Sequence, residues 1–381
     1  MQVPLSEELK QNFLKRGFSR RSFGRLATLM TAGAALPFYN ESALAQLSRI
    51  GPLPPDAVKI NANENPMGPC PEAAEAIYNV IKKGGRYLYE ETFEFAKIMA
   101  DQEGLKPNYV QPFAGSSDPL HRAILAFTSA EKPLVLADPG YEAGERAARF
   151  IGSKVIKVPL KKDYSHDVRA MAAADPNAGV IYVCNPNNPT GTITPRSEIE
   201  WLVANKPAGS IVLLDEAYIH LTTEPFGSDF VAADKDVIIL RTFSKLYGMA
   251  GLRAGAALGR PDLIEKLTPY GAGALPATGM VGAAASLKSP KVVPERRKII
   301  ANIREDVFDW MTKKNYKFVP SVSNKFMVDV GRPGQEVVRL MAQEKVFIGR
   351  VWPAWPTYVR VSIGTAEEME KFKKAFEKVM A

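Results

Sequence analysis

The 381-residue chain has only two cysteines, Cys70 and Cys184, and three histidines. Two thiols cannot build a disulfide framework, and Cys184 ends an apolar run that reads as core. The histidines lack metal-ligand spacing, so a zinc centre is not expected. No apolar run approaches the ~18–20 residues that span a bilayer, which argues against stable membrane insertion. Long basic runs are missing too. The formal net charge is +8, and residues 1–45 hold six of the 49 Lys/Arg and three of the 41 Asp/Glu, leaving +5 on the rest. So small and scattered an excess speaks against nucleic acid and for a small anionic ligand.

What is present is ordinary globular material, 46% hydrophobic and 24% charged, long enough for two domains. The start of the chain stands apart. In "SRRSFGRLATLMTAGAALPF" (residues 19–38), Arg20 and Arg21 precede a short apolar stretch, and Ala43-Leu44-Ala45 follows. A basic segment, a short apolar one and an Ala-x-Ala site make an export signal, here of the twin-arginine kind. It departs from the usual pattern at Gly24, and its alternative is an amphipathic helix docked on the body of the protein. Residues 1–45 are therefore expected to be a signal peptide cleaved before Gln46. The mature protein would be periplasmic or secreted, the alternative being cytoplasmic.

Residues 46–72, with "GPLPP" at 51–55, read as an extended arm that contributes to a small domain. From about 73 to 280, helical periodicity alternates with short apolar runs: "PLVLAD" (133–138), "KVIKVPL" (154–160), "AGVIYVCN" (178–185), "SIVLLDE" (210–216), "DVIILRTF" (236–243) and "RAGAALG" (253–259). Such runs between helix-length segments predict a mostly parallel sheet covered on both faces, with ligands at the carboxyl ends of its strands. After the Gly/Pro/Ala stretch 271–280, a long charged helix, three strand-like pieces and a final amphipathic helix predict a smaller α+β domain over 281–381.

Four stretches carry chemistry. In "LLDEAY" an apolar run feeds into Asp215, and a buried carboxylate there needs a cationic or protonated partner. In "RTFSKLYGMAGLR", Lys245 sits in a turn between Thr242, Ser244 and the downstream Arg253. "CNPNNPTGT" (184–192) runs a strand into an Asn/Pro/Gly turn. "AGSSDPLHRAIL" (114–125) puts Ser116 and Ser117 at a helix start, where free backbone N–H groups and hydroxyls cradle anions. Taken alone these read as a solvated lysine, a turn and a helix cap.

In this order and spacing they resemble the fold-type I pyridoxal phosphate (PLP) aminotransferases, and among them the histidinol-phosphate aminotransferase family. The resemblance runs from "NANENPMGP" (61–69) to "VRVSIGT" (359–365). It implies an α/β fold-type I transferase. It also implies that Lys245 carries the cofactor and moves the substrate proton, while Asp215 pairs with the ring nitrogen. Asn188 and Tyr218 would bond the ring's phenolic oxygen, and Tyr141 would stack on the ring. Ser116, Ser117, Thr242, Ser244 and Arg253 would hold the phosphate. Tyr87 matches a tyrosine lent to the neighbouring subunit's phosphate site, implying a homodimer with shared sites, although Leu88 stands where a proline is usual and Tyr89 is close by. Arg360 matches the arginine that grips the substrate's anion, with Asn188 beside it, and Arg350 one that helps hold the phosphate of histidinol phosphate. Trp352 and Trp355 either pack or shape a pocket for an aromatic or imidazole side chain.

The implied activity is transamination of histidinol phosphate or an aromatic or related amino acid, with 2-oxoglutarate and glutamate as the other pair. The same residues would serve a PLP-dependent decarboxylase or lyase, or a PLP-binding protein without turnover, because the pocket chooses which bond breaks.

Overall fold

The computed structural model describes Gln11, Leu14, residues 53–271 and residues 274–381. The expected signal, the twin arginines and the cleavage point before Gln46 lie outside the described residues.

Seven strands form the central sheet: β2 (Val110–Phe113), β3 (Leu134–Asp138), β4 (Val155–Pro159), β5 (Val180–Cys184), β6 (Ile211–Asp215), β7 (Val237–Thr242) and β8 (Gly255–Gly259). Their spatial order is β2-β8-β7-β6-β5-β3-β4. Strands β3 to β7 pair in parallel, whereas β8 runs antiparallel to both β7 and β2. Every residue of β5, β6, β7 and β8 is buried. Helices on both faces explain why these strands are near-continuous apolar runs rather than alternating ones. Each fully buried Val, Ile or Leu there contributes about 1.5–3 kcal/mol of apolar transfer.

The register sets the site. Cys184, Asp215 and Thr242 end β5, β6 and β7, with Cys184 opposite Asp215. Because β8 is antiparallel, its first residue Gly255 lies opposite Thr242 and Phe113. The segment entering β8, with Arg253, therefore joins the edge where the other strands end.

The C-terminal part carries β9 (Lys317–Val319), β10 (Lys325–Asp329), β11 (Val346–Ile348) and β12 (Tyr358–Ser362). The order β12-β10-β9 forms a small antiparallel sheet. From the arm, β1 (Val58–Ile60) pairs in parallel with β11. The last helix, Ala366–Met380, begins with a capping box between Thr365 and Glu368. The Gly/Pro/Ala stretch at 271–280 does not end the large unit. Its last residues start the helix Ala277–Lys288, which packs on the helices Pro71–Ile81 and Tyr89–Glu103. A boundary at 280 thus falls inside a helix that belongs with the large unit. Among the described residues no helix is long and apolar enough to cross a membrane.

Candidate active site

A cavity of about 270 Å³ lies at the carboxyl edge of the sheet. Ten of the residues singled out in the sequence line it: Ser116, Ser117, Tyr141, Asn188, Asp215, Tyr218, Thr242, Ser244, Lys245 and Arg253. They converge because strands β5, β6 and β7 end there, the helix Ser117–Phe127 starts there, and β8 enters there.

Asp215 is 2% exposed. It accepts hydrogen bonds from the Tyr182 hydroxyl at 2.8 Å and from the Ala217 backbone N–H at 3.0 Å. Burial pushes its carboxyl above the usual range, while those two donors and the charges of Lys245 and Lys325 pull it back. A group held this way favours a cationic or N–H-bearing partner. Burial also raises the Cys184 thiol beside it, which makes it a poor nucleophile.

Lys245 is 7% exposed, and its Nζ donates to the Ala62 carbonyl at 3.4 Å. Its ammonium lies 5.7 Å from the centroid of the Tyr218 ring. The Thr242 hydroxyl donates to Ser244 Oγ at 3.0 Å, and Arg253 Nη1 donates to the same oxygen at 3.3 Å. Arg253 also donates to the carbonyls of Ala250 and Ala114, both at 2.9 Å, and desolvation lowers its pKa. At the helix start, Ser116 makes no side-chain cap, and Asp118 is engaged by Arg122 at 2.7 Å.

These residues fit a phosphorylated pyridine cofactor. Gly115 has φ +87°, and a Cβ there would lie 2.3 Å from Arg253 Nη2. The backbone before the helix is thus kept bare so that the guanidinium, two hydroxyls and the helix start can converge on one anion. Asp215, at the other end of the cavity, supplies the carboxylate that a ring N–H needs.

Arg360 does not line this cavity but bonds Asn188, which does. Fully buried on β12, it donates to Asn188 Oδ1 at 2.9 Å and to the Asn61 carbonyl at 2.7 Å. A solvated edge-strand charge is thereby excluded. Arg350 lies elsewhere: it pairs with Glu142 and lines a neighbouring cavity of about 870 Å³ with Trp352. Trp352 is buried and donates to the Gly140 carbonyl at 2.9 Å, whereas Trp355 packs against Tyr164 and Tyr358. Tyr87 is 73% exposed and stacks on Tyr89, away from the cavity of its own chain.

Three residues at the site escaped the sequence reading. Asn63 donates to the Tyr218 hydroxyl at 3.0 Å. Lys325, fully buried, sets its ammonium 3.1 Å from the Tyr218 ring centroid and donates to Ser323 Oγ at 2.9 Å. Tyr182 carries the hydroxyl on Asp215. Only Tyr182 had a local signal, since a phenol inside the buried run "VIYVC" must find a partner.

A doubly wound sheet with a buried lysine and aspartate and a part-buried arginine at its carboxyl edge defines a fold-type I PLP enzyme. The model of the family "Aminotransferase class I and II" matches residues 55–376, and the chain belongs to that family. It is a PLP-dependent aminotransferase. It is 32% identical over 337 residues to the histidinol-phosphate aminotransferase of Moorella thermoacetica, covering 86% of each protein. It is also 32% identical over 333 residues to the aromatic amino acid aminotransferase of Cutibacterium acnes, covering 85% of this chain and 93% of that one. Among solved structures it is similar to the histidinol-phosphate aminotransferase of Sinorhizobium meliloti in complex with pyridoxal-5'-phosphate. That match has a TM-score of 0.79 and 26% identity, over 91% of this chain and 95% of the other.

Proposed function

We propose that the chain moves the amino group of histidinol phosphate or of an aromatic or related amino acid to 2-oxoglutarate. The carrying observation is Arg360, fully buried yet bonded to Asn188 at the edge of the cavity that holds Lys245. A buried guanidinium beside a cofactor site is suited to a substrate anion.

When bound, PLP supplies the electron sink that acidifies the hydrogen next to the substrate nitrogen. Lys245 anchors the group and, once the donor has displaced its amine, carries the proton on Nζ. Asp215 holds the ring N–H, and Asn188 and Tyr218 bond the phenolic oxygen. Ser116, Ser117, Thr242, Ser244 and Arg253 hold the phosphate, and Tyr141 covers the ring. Arg360 orients the donor by its anion, and burial of the site excludes water.

The chain is also proposed to act as a homodimer and to be exported by the twin-arginine route. The dimer is supported by exposed Tyr78, Ile81, Tyr87, Tyr89 and Phe93 on neighbouring helices and their connection, a large apolar surface for a lone chain. Export is supported by the motif at 19–45 and by the route's capacity for folded, cofactor-loaded passengers. Sedimentation at several concentrations tests the dimer, and cell fractionation tests export.

The activity is tested by absorbance. PLP-loaded protein is mixed with one amino donor and no acceptor. Conversion of the lysine-bound cofactor band to the pyridoxamine band is the expected result. Release of carbon dioxide without that conversion would establish a decarboxylase instead.

A further inference from the structure

The turn that carries Asn188 is held from behind by a buried histidine. His166 is 1% exposed, and its Nε2 lies 3.0 Å from the carbonyl of Cys184, the last residue of β5. Its backbone N–H donates to Thr194 Oγ1 at 3.1 Å, at the far end of the turn. Asn185 closes that turn, accepting from the Thr194 N–H at 2.9 Å and donating to the Thr194 carbonyl at 3.2 Å. One residue thus pins both ends of the segment 184–194. Burial pushes the imidazole down to about 4, so near neutral pH the ring is uncharged and carries a single N–H. A carbonyl faces Nε2, which places that hydrogen there. The Asn187 side chain is the other polar group against the ring, and its amide donates to the Pro139 carbonyl and to Thr190 Oγ1. Asn187 Oδ1 and His166 Nδ1 are left buried without a hydrogen bond among the described residues.

We infer that His166 is a positioning residue for the cofactor's phenolic oxygen, locking the turn so that the Asn188 amide N–H stays aimed into the cavity. This rests on the PLP reading of the site. Asn188 Oδ1 accepts from Arg360 at 2.9 Å, so the Nδ2 end of that amide is the one to face the oxygen. A buried ring nitrogen without a hydrogen bond costs stability, and an apolar side chain in place of the imidazole would carry no such cost. The imidazole is therefore explained by the bond it gives to Cys184 rather than by packing. His166 lines no part of the cavity, so it acts through Asn188 and does not itself touch the cofactor.

The test reads the pH midpoint of the lysine-bound cofactor band in the PLP-loaded full chain, with no donor present. A hydrogen bond to the phenolic oxygen favours its ionised form, so weakening that bond raises the midpoint. His166→Leu, which fills the space without the N–H, should raise it by about half a unit to one unit. His166→Gln, whose amide can still donate to the Cys184 carbonyl, should keep it at the native value. In an Asn188→Ala background, where the midpoint is already raised, His166→Leu should add almost nothing. Thr194→Val removes only the hydroxyl that the His166 backbone N–H meets. It should move the midpoint the same way and covers the case in which His166→Leu does not fold. An unmoved midpoint in whichever of these two variants folds would overturn the inference. So would a shift in His166→Gln as large as in His166→Leu, or a shift of equal size with Asn188 gone. Failure of every donor to convert the cofactor band would remove the transamination reading and leave this midpoint intact.

Discussion

On the cofactor side of the site, Asp215, Tyr218, Thr242, Ser244, Lys245 and Arg253 fall between residues 215 and 253 and hang from three neighbouring strands. On the substrate side, Asn63, Lys325 and Arg360 come from opposite ends of the chain and meet only through long-range pairing. The first wall is a local object whose spacing is fixed by strand and turn lengths. The second depends on how the small sheet and the arm sit against the large unit. The two walls should therefore answer to mutation through different observables.

Replacement of Lys245 is expected to have the largest effect. Lys245→Ala should abolish the lysine-bound absorbance band and lower turnover at least ~10⁴-fold. Arg360→Gln comes next, with donor kcat/KM falling about 10²–10³-fold while the band persists, as measured by steady-state kinetics. A loss of cofactor affinity in that variant would break the division between the walls. Gly115→Ala places a methyl against Arg253 at a positive φ, a strain of about 1–3 kcal/mol. Equilibrium dialysis should show PLP held up to about 100-fold more weakly, with donor specificity unaltered.

The smallest effect sharpens the comparison, because Lys325 is anchored in one wall and reaches the other. Its charge favours ionisation of Asp215. Lys325→Met should raise the pH midpoint of the cofactor band by about one unit, followed as absorbance against pH. Lys325→Arg should restore it. A midpoint unmoved in both would assign Lys325 a packing role only.

Legibility from sequence followed the same division. The six apolar runs became β3 to β8, because strands buried on both faces advertise themselves by continuous hydrophobicity. Strand β2 did not, being four residues with Pro112 inside. The reversed direction of β8 was also unreadable, since "RAGAALG" carries no mark of orientation. Short-range motifs gave the cofactor wall. Asn63 and Tyr218 are 155 residues apart and Arg360 and Asn188 are 172 apart, so no local pattern encodes either contact. Arg360 was reached by resemblance, whereas Asn63 and Lys325 had neither resemblance nor spacing to mark them. The helix across residue 280 was hidden by glycine and alanine, which read as a break but pack closely against neighbouring helices.

The parallel pairing of β1 with β11 also sets an order of events. Val58 to Ile60 are made long before their partners Val346 to Ile348. Directly after β1 come Ala62 and Asn63, which hydrogen-bond Lys245 and Tyr218. The seven-stranded sheet ends at Gly259 and can form while the ribosome is still adding the rest. The pocket wall from the arm must wait for its distant partner, because closing so long a loop is slow and yields nothing until the strand exists. A chain halted before Val346 would hold a formed sheet and an unfinished pocket, so closure of the site reports that the strand Val346–Ile348 has been made.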